Sequence, residues 1–550
     1  MHFSTADGSH SWLAGHLLEP QYSADWGDYA SFVHVMRNRS IENDGVLLTV
    51  DTGDIEDGTG LSDASKVVGS KSRPLFTRIL ADLATVGNHE LYSAETARAI
   101  YEEVVPQYHG RYIVANVKIL DEQQKAMVPF ANRSYYFVTE NNIRILALGF
   151  LYDFTGAAHN LEVQSVESCI EEDWFREEMQ RRDVDLYLVI GHASIRFGNE
   201  FRAIHQAIRG VHPGTPIQFF GGHTHTRDFR KYDHKSFALE SGRYCETVGW
   251  VSLDGITNGK RYSVRRRYID FNRFSFKNHS NTCDATFDTP RGQSISREIC
   301  RTRKKLQLDT TFGCAPHDFY MNRQSATDVN NVFHLLTEHV FPDMVINPAR
   351  ENKSRMIFTN SGAIRFDIFK GPFTLDSSFM LCPFRSHFLY IRDVDYSKAK
   401  NVLRLLNFGR YADSHSVKLR GLYQVANSVN TVYARKRINI DQLAFTKRKE
   451  RITPGHTTHD DYGQDGDDTM HSKVPFYPIT NCIQALGSFP ESSDPVLVDV
   501  VFADFVAGHV IDVLSLLGAS YTLSDVEPYL GSDDTLSSVM RNYTSKHWKC

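Results

Sequence analysis

The chain has 550 residues, too many for one hydrophobic core, so length alone sets an expectation of roughly two to four domains. Its residues are 41% hydrophobic, 23% charged and 12% aromatic, and its net charge of -5 supplies no basic surplus for holding nucleic acid. No run of about 18 apolar residues occurs, which excludes an ordinary membrane-spanning helix.

The first feature is STADGSHSW, residues 4–12. Asp7 and His10 are residue types that bind cations, but two residues separate them. On an extended strand i and i+2 share a face, whereas i and i+3 do not. From there to about residue 270, short apolar runs alternate with helical patterns. GVLLTV (45–50), IRILALGF (143–150), DLYLVI (185–190) and PIQFF (216–220) have the length and composition of buried strands. Segments 27–41, 94–105 and 164–182 carry helical periodicity. Strands alternating with helices predict a layered α/β domain, with its chemistry at the carboxyl ends of the strands.

FKNHSNTCDATFDTPRGQ (276–293) is polar and aperiodic and reads as a linker, and the basic segment 297–313 reads as a helix or connector with a solvated charged face. A second α/β region follows. In it, 329–340 is helical, 356–368 reads as strand–turn–strand, and 456–472 is a long polar, acidic loop. These shifts divide the chain into a catalytic domain at 1–275, a connector at 276–320 and a second domain at 321–550. Eight cysteines form no CxxC pair; Cys300 and Cys314 are near enough in sequence to close a small loop, and buried free thiols explain the composition equally well. Asn-x-Ser/Thr sequons at Asn38, Asn132, Asn278, Asn352 and Asn542 tilt the reading toward a secretory route. Residues 1–6 hold no charged-then-apolar signal segment, so two readings stand: an intracellular protein, or a processed one.

Four blocks follow predicted strands: VDTGD ending at Asp54, VGNHE at 86–90, IGHAS at 190–194 and GGHTH at 221–225. Each delivers Asp, Asn or His beside a glycine that permits a sharp turn. One such block is more often a turn or a satisfied histidine than a site. Four in order, each at a strand end of one α/β domain, point to a metal centre. Asp, Asn and several His without thiolates suit Mn, Fe, Zn or Co, and the donors are too many for one cation. Two divalent ions sharing a carboxylate would use them all, activating water near neutral pH and clamping the oxygens of a phosphoryl group.

The ordered blocks D-x(2)-H, G-D, G-N-H-E, G-H and G-H-x-H resemble the calcineurin-like metallophosphoesterase superfamily. Within it the chain is similar to the two-domain 5'-nucleotidases, notably their fungal subgroup, through ADWGDY (24–29), DTGDIEDGTGLSDAS (51–65) and TVGNHELY (85–92). The resemblance implies a four-layer αββα catalytic domain and a C-terminal α/β substrate-binding domain. It implies that Asp7 and His10 hold one ion with His225, that Asp54 bridges both, and that Asn88, His192 and His223 hold the second. His89 would be the catalytic histidine. The family's first block has one spacer, D-x-H-G-W, whereas DGSHSW has two and replaces the Gly by Ser11; a bulge at Gly8 would restore the aim of Asp7.

In the second domain NSGAIR resembles the family's N-x-G-x-x-R, so Asn360, Gly362 and Arg365 would line the substrate pocket. CPF puts Phe384 where the family stacks an aromatic on a base. The family's second stacking aromatic is missing from GQDGDDTMH, which offers Asp467, and Tyr462 would substitute. The implied function is metal-dependent hydrolysis of nucleoside 5'-monophosphates or related small-molecule phosphoesters, with a secreted or vacuolar location. Two alternatives accompany it: a 2',3'-cyclic phosphodiesterase or pyrophosphohydrolase on the same site, and a catalytically weak nucleotide-binding protein with a degraded first metal position.

Overall fold

A computed structural model describes residues 2–6, 24–79, 81–257, 261–407, 458–469 and 475–550. The chain forms two compact units, Met1–Leu306 with Pro454–Lys473, and Gln307–Thr453 with Val474–Cys550.

In the first unit the smaller sheet runs in the order Ser263–Asp270, Thr247–Asp254, His2–Ala6, Leu47–Asp51 and Leu83–Ala84, the last three strands being parallel. The larger sheet runs Thr458–Asp460, Arg227–Asp233, Ser236–Ser241, Ile217–Gly221, Leu186–His192, Arg144–Leu151 and Ser134–Val138, with a central parallel run from Ser236–Ser241 to Arg144–Leu151. Alternate residues of a strand face opposite ways. Ile145, Ala147, Leu186, Leu188 and Ile190 therefore meet Leu48 and Val50 of the smaller sheet in one core. Their neighbours Leu146, Leu148, Tyr187 and Val189 turn outward onto Phe201, Ile204 and Ile208. Those three lie at i, i+3 and i+7 on the helix Glu200–Val211, the spacing of one helical face. Strand Leu186–His192 is buried along its whole length because both of its faces are covered. The helix Trp26–Glu42 starts at a capping box between Asp25 and Asp28, and its Phe32 stacks on Phe276 at 4.5 Å. The result is the four-layer αββα domain that the sequence implies.

The second unit centres on a five-stranded sheet ordered Cys482–Gly487, Arg355–Asn360, Leu497–Ala503, Phe388–Asp395 and Glu527–Pro528. Ile357, Tyr390 and Val501 pack on one face with Val332, Leu336 and Met540; Met356, Ile391 and Val500 pack on the other with Val402, Val510 and Leu514. A disulfide joins Cys314, on the strand Thr311–Ala315, to Cys550 with 4.8 Å between Cα atoms.

Several expectations change. Residues 276–293 hold the helix Arg273–Ser280, the helix Asp284–Phe287 and the start of the helix Pro290–Lys305, all in the first unit. Their anchor was hidden in small residues: a Cβ on Gly292 would lie 2.4 Å from the Gly27 carbonyl oxygen, so the two helices touch backbone to backbone. Cys300 does not pair with Cys314; it is exposed on Pro290–Lys305, while Cys314 belongs to the other unit. Within 356–368 the first strand forms, Arg355–Asn360, but the second is reduced to one bridge between Ile368 and Phe319. The acidic loop returns to the first unit. Thr458–Asp460 pairs in parallel with Arg227–Asp233, Asp460 binds Arg266 at 3.0 Å and Asp461 binds Arg196 at 3.0 Å.

Candidate metal centre

The parallel strands of both sheets end on the same side of the fold chemistry, each followed by one of the four blocks. His192 is the last residue of Leu186–His192, Asp54 follows Leu47–Asp51, Asn88 and His89 follow Leu83–Ala84, and His223 and His225 follow Ile217–Gly221. Single ligand atoms of Asp54, His192 and His223 all lie within 4.8 Å of one another.

Local backbone geometry makes this convergence possible. Asp54 is left-handed at φ 61° and follows Gly53 at φ 93°. A Cβ on Gly53 would sit 2.3 Å from the Gly87 nitrogen, and one on Gly87 would sit 2.1 Å from Asp54 Oδ1. Both glycines are therefore required for the two loops to meet. His223 and His225 are also left-handed, at φ 76° and 60°, a conformation that costs non-glycine residues roughly 1–3 kcal/mol and clusters at functional sites. The His223 ring stacks on Tyr152 at 4.3 Å between centroids.

Each side chain is aimed by a second contact. His192 is fully buried and its Nδ1 donates to the Thr52 carbonyl at 2.9 Å, which fixes the tautomer and turns Nε2 to Asp54 Oδ2, also at 2.9 Å. Asp54 Oδ1 accepts the His89 N–H at 3.0 Å. Burial opposes ionisation of Asp54, but His192 and His89 beside it hold its carboxyl well below the usual carboxylate range. Asn88 Nδ2 donates to the Tyr92 hydroxyl at 3.0 Å, while its buried Oδ1 has no hydrogen-bond partner in the protein. An orphaned amide oxygen beside a carboxylate and two imidazoles is a donor set that fits a divalent cation. Burial pushes the neighbouring Asp51 carboxyl up to about 7, against the pull of the Gly53 N–H and His192.

The other expected residues fall as follows. Asp7 and His10 lie outside the described residues. The His225 ring lies 5.6 Å from Tyr244. In the second unit, Asn360 ends the strand Arg355–Asn360, Gly362 sits in the turn Ser361–Ala363, and the Arg365 guanidinium lies over the Phe384 ring at 5.0 Å. The buried Oδ1 of Asn360 also has no hydrogen-bond partner in the protein. Tyr462 belongs to the first unit, where it packs on Phe229 at 5.1 Å with Arg266 over its ring at 5.4 Å.

A family model for calcineurin-like phosphoesterases matches residues 8–227, and one for the C-terminal domain of NAD nucleotidase matches residues 318–511. A crystal structure of 5'-nucleotidase from Candida albicans SC5314 is 35% identical, with a TM-score of 0.85 over 99% of this chain and 97% of that one. The chain belongs to the 5'-nucleotidase branch of the calcineurin-like phosphoesterases. An uncharacterised protein of Schizosaccharomyces pombe is 37% identical over 580 residues, covering 100% of this chain and 91% of its own length. A protein of Arthroderma benhamiae named as secreted is 36% identical over 608 residues, covering 100% and 90%. Calcineurin-like phosphoesterases are hydrolases that use divalent metals, and the first unit of this family member carries a site suited to them. Among the described residues, no helix is long and apolar enough to cross a membrane.

Reading the phosphoesterase blocks from sequence missed Glu90. Its carboxylate, 0% exposed, accepts the N–H of Gly87 at 2.7 Å, Asp54 at 2.9 Å, Ile55 at 2.6 Å and Glu56 at 3.2 Å. One side chain thus ties the Asp54 loop to the Asn88 loop. Burial and the nearby Asp54 carboxylate push the Glu90 carboxyl up to about 8, against those four donors. The only signal was its place directly after His89 in the GNHE block.

Proposed function

We propose that this chain is a binuclear metallophosphatase that releases phosphate from nucleoside 5'-monophosphates or related nucleotides. The observation that carries the reading is the convergence of Asp54, His192 and His223 within 4.8 Å at strand ends, beside the orphaned Asn88 oxygen. Asp54 would be shared by both ions, Asn88, His192 and His223 would complete one position, and His225 with Asp7 and His10 the other. A bound pair of divalent cations would acidify water and offset charge on the phosphoryl oxygens. The protein's own part is then orientation and proton handling. His89, held against Asp54 through its N–H, would stabilise the phosphoryl oxygens or protonate the departing oxygen. In the second unit Phe384, capped by Arg365, offers a flat face for a nucleobase, with the Asn360 amide beside the same motif. The Cys314–Cys550 disulfide, the sequons and the secreted relative support passage through an oxidising, secretory compartment.

A second reading, hydrolysis of a dinucleotide pyrophosphate, is favoured by the match of residues 318–511 to the NAD nucleotidase C-terminal model. Phosphate or nucleotide release from AMP, 2',3'-cyclic AMP, NAD and UDP-sugars, with added Mn or Co, separates the two. AMP should be turned over fastest under the first reading and NAD under the second. Equal kcat/KM for AMP and p-nitrophenyl phosphate would overturn nucleotide specificity altogether.

A further inference from the structure

DTGDIEDGTGLSDAS, residues 51–65, contains far more polar groups than metal binding uses, for only Asp54 is a metal ligand in the reading above. Asp57 is the most placed of the remainder. Its Oδ2 lies 2.8 Å from His89 Nδ1, with the two side chains 14% and 9% exposed. A carboxylate only accepts, so the shared proton is carried on Nδ1. The opposite ring nitrogen, Nε2, then lies 3.8 Å from Asp54 Oδ2, on the metal-ligand side.

The rest of the segment holds Asp57 where it is. Asp57 is left-handed at φ 61°. Its N–H donates to Ser62 Oγ at 3.2 Å, and the next N–H, of Gly58, donates to Asp63 Oδ2 at 2.7 Å. Ser62 Oγ in turn donates to Glu56 Oε2 at 2.9 Å, and Glu56 pairs with Arg73 at 3.0 Å, both of these side chains at most 2% exposed. Ser72 also donates to Glu56, at 3.3 Å. A buried tier of Glu56, Ser62, Asp63 and Arg73 thus braces a strained loop residue whose only described side-chain partner is His89.

We propose that Asp57 is the positioning residue for His89: by taking the Nδ1 proton it fixes the ring's tautomer and presents Nε2 toward the reacting phosphoester. This rests on the reading of His89 as the group that protonates the departing oxygen, and the test separates the two. Asp57→Ala, Asp57→Asn and His89→Ala are assayed with added Mn on phenyl phosphate, a poor leaving group, and on p-nitrophenyl phosphate, a good one. Metal content and thermal midpoint are measured on each variant. Asp57→Ala should lower kcat on phenyl phosphate by about 10–100-fold, the range for loss of an orienting partner, with KM and metal content held. The effect on p-nitrophenyl phosphate should be much smaller, because its leaving group needs no proton. Asp57→Asn keeps an acceptor oxygen and should fall between wild type and Asp57→Ala.

Nitrogen-15 spectra of histidine-labelled, metal-stripped protein read the tautomer without activity. The His89 signal, assigned by its loss in His89→Ala, should report Nδ1–H in wild type and Nε2–H in Asp57→Ala. An unchanged tautomer in Asp57→Ala, or equal slowing of both substrates, overturns the inference. If His89→Ala hydrolyses phenyl phosphate at the wild-type rate, it is the acid role of His89 that falls, while the tautomer still decides the Asp57 contact.

Discussion

Glu90→Gln is nearly isosteric, yet it should be among the most damaging single changes in the first unit. The two carboxylate oxygens divide four donors evenly: Oε1 takes the N–H of Ile55 and Glu56, and Oε2 takes those of Asp54 and Gly87. A glutamine must place its NH2 against one of these pairs whichever way it is flipped, so two buried N–H groups lose their acceptor and meet a donor. At about 1–3 kcal/mol for each buried group left unsatisfied, the loss is about 2–6 kcal/mol. That is a large share of the stability of an ordinary domain, and it falls at the junction of the Asp54 and Asn88 loops. Urea unfolding of the metal-stripped variant should show the lowered midpoint, with an unchanged slope. Metal content at a fixed free concentration should fall with it, since both loops carry ligands. A midpoint within about 0.5 kcal/mol of wild type, the ordinary scale of a surface substitution, would refute the reasoning.

Three further outcomes are expected. Tyr92→Phe removes the hydroxyl that receives Asn88 Nδ2; metal affinity measured by chelator competition should weaken about 10–100-fold, and an unchanged affinity would show that the amide is held by something else. Cys550→Ser opens a disulfide spanning 236 residues and should cost the second unit about 2–5 kcal/mol in urea unfolding, whereas a midpoint equal to that of the oxidised wild type would contradict this. Burial, reinforced by Asp468, pushes the Asp270 carboxyl up to about 6, against the Thr469 hydroxyl. A carboxyl raised in the folded state contributes stability that is full below about pH 4 and lost as pH rises through 6. The fall in thermal midpoint across that window should therefore be shallower in Asp270→Asn, and an identical fall would locate the titration elsewhere.

The strand ends were legible because they are local: an apolar run stopping at a glycine beside Asp, Asn or His shows both the strand and what it delivers. His192 and His223 were found that way, and the structure brings them to Asp54. What stayed hidden depends on partners far along the chain. Glu90 looks like a surface acid until its four N–H donors arrive, three of them more than 30 residues away. The acidic 456–472 segment reads as a free loop because Arg196 and Arg266, which neutralise it, lie about two hundred residues earlier. The same distance concealed the pairing of Cys314 with Cys550, for sequence proximity favoured Cys300. The helices from residue 273 onward were obscured by polar composition, their contacts being made through Gly27, Gly292 and the Phe32–Phe276 stack.

The dimetal reading meets its most direct test in elemental analysis of the purified protein beside Asp54→Ala. Two divalent ions per wild-type chain, falling to one or none when the shared carboxylate is removed, is the result the arrangement of Asp54, His192, His223 and Asn88 calls for. A wild-type protein that takes up no divalent metal, or an Asp54→Ala variant that keeps both ions, would contradict it.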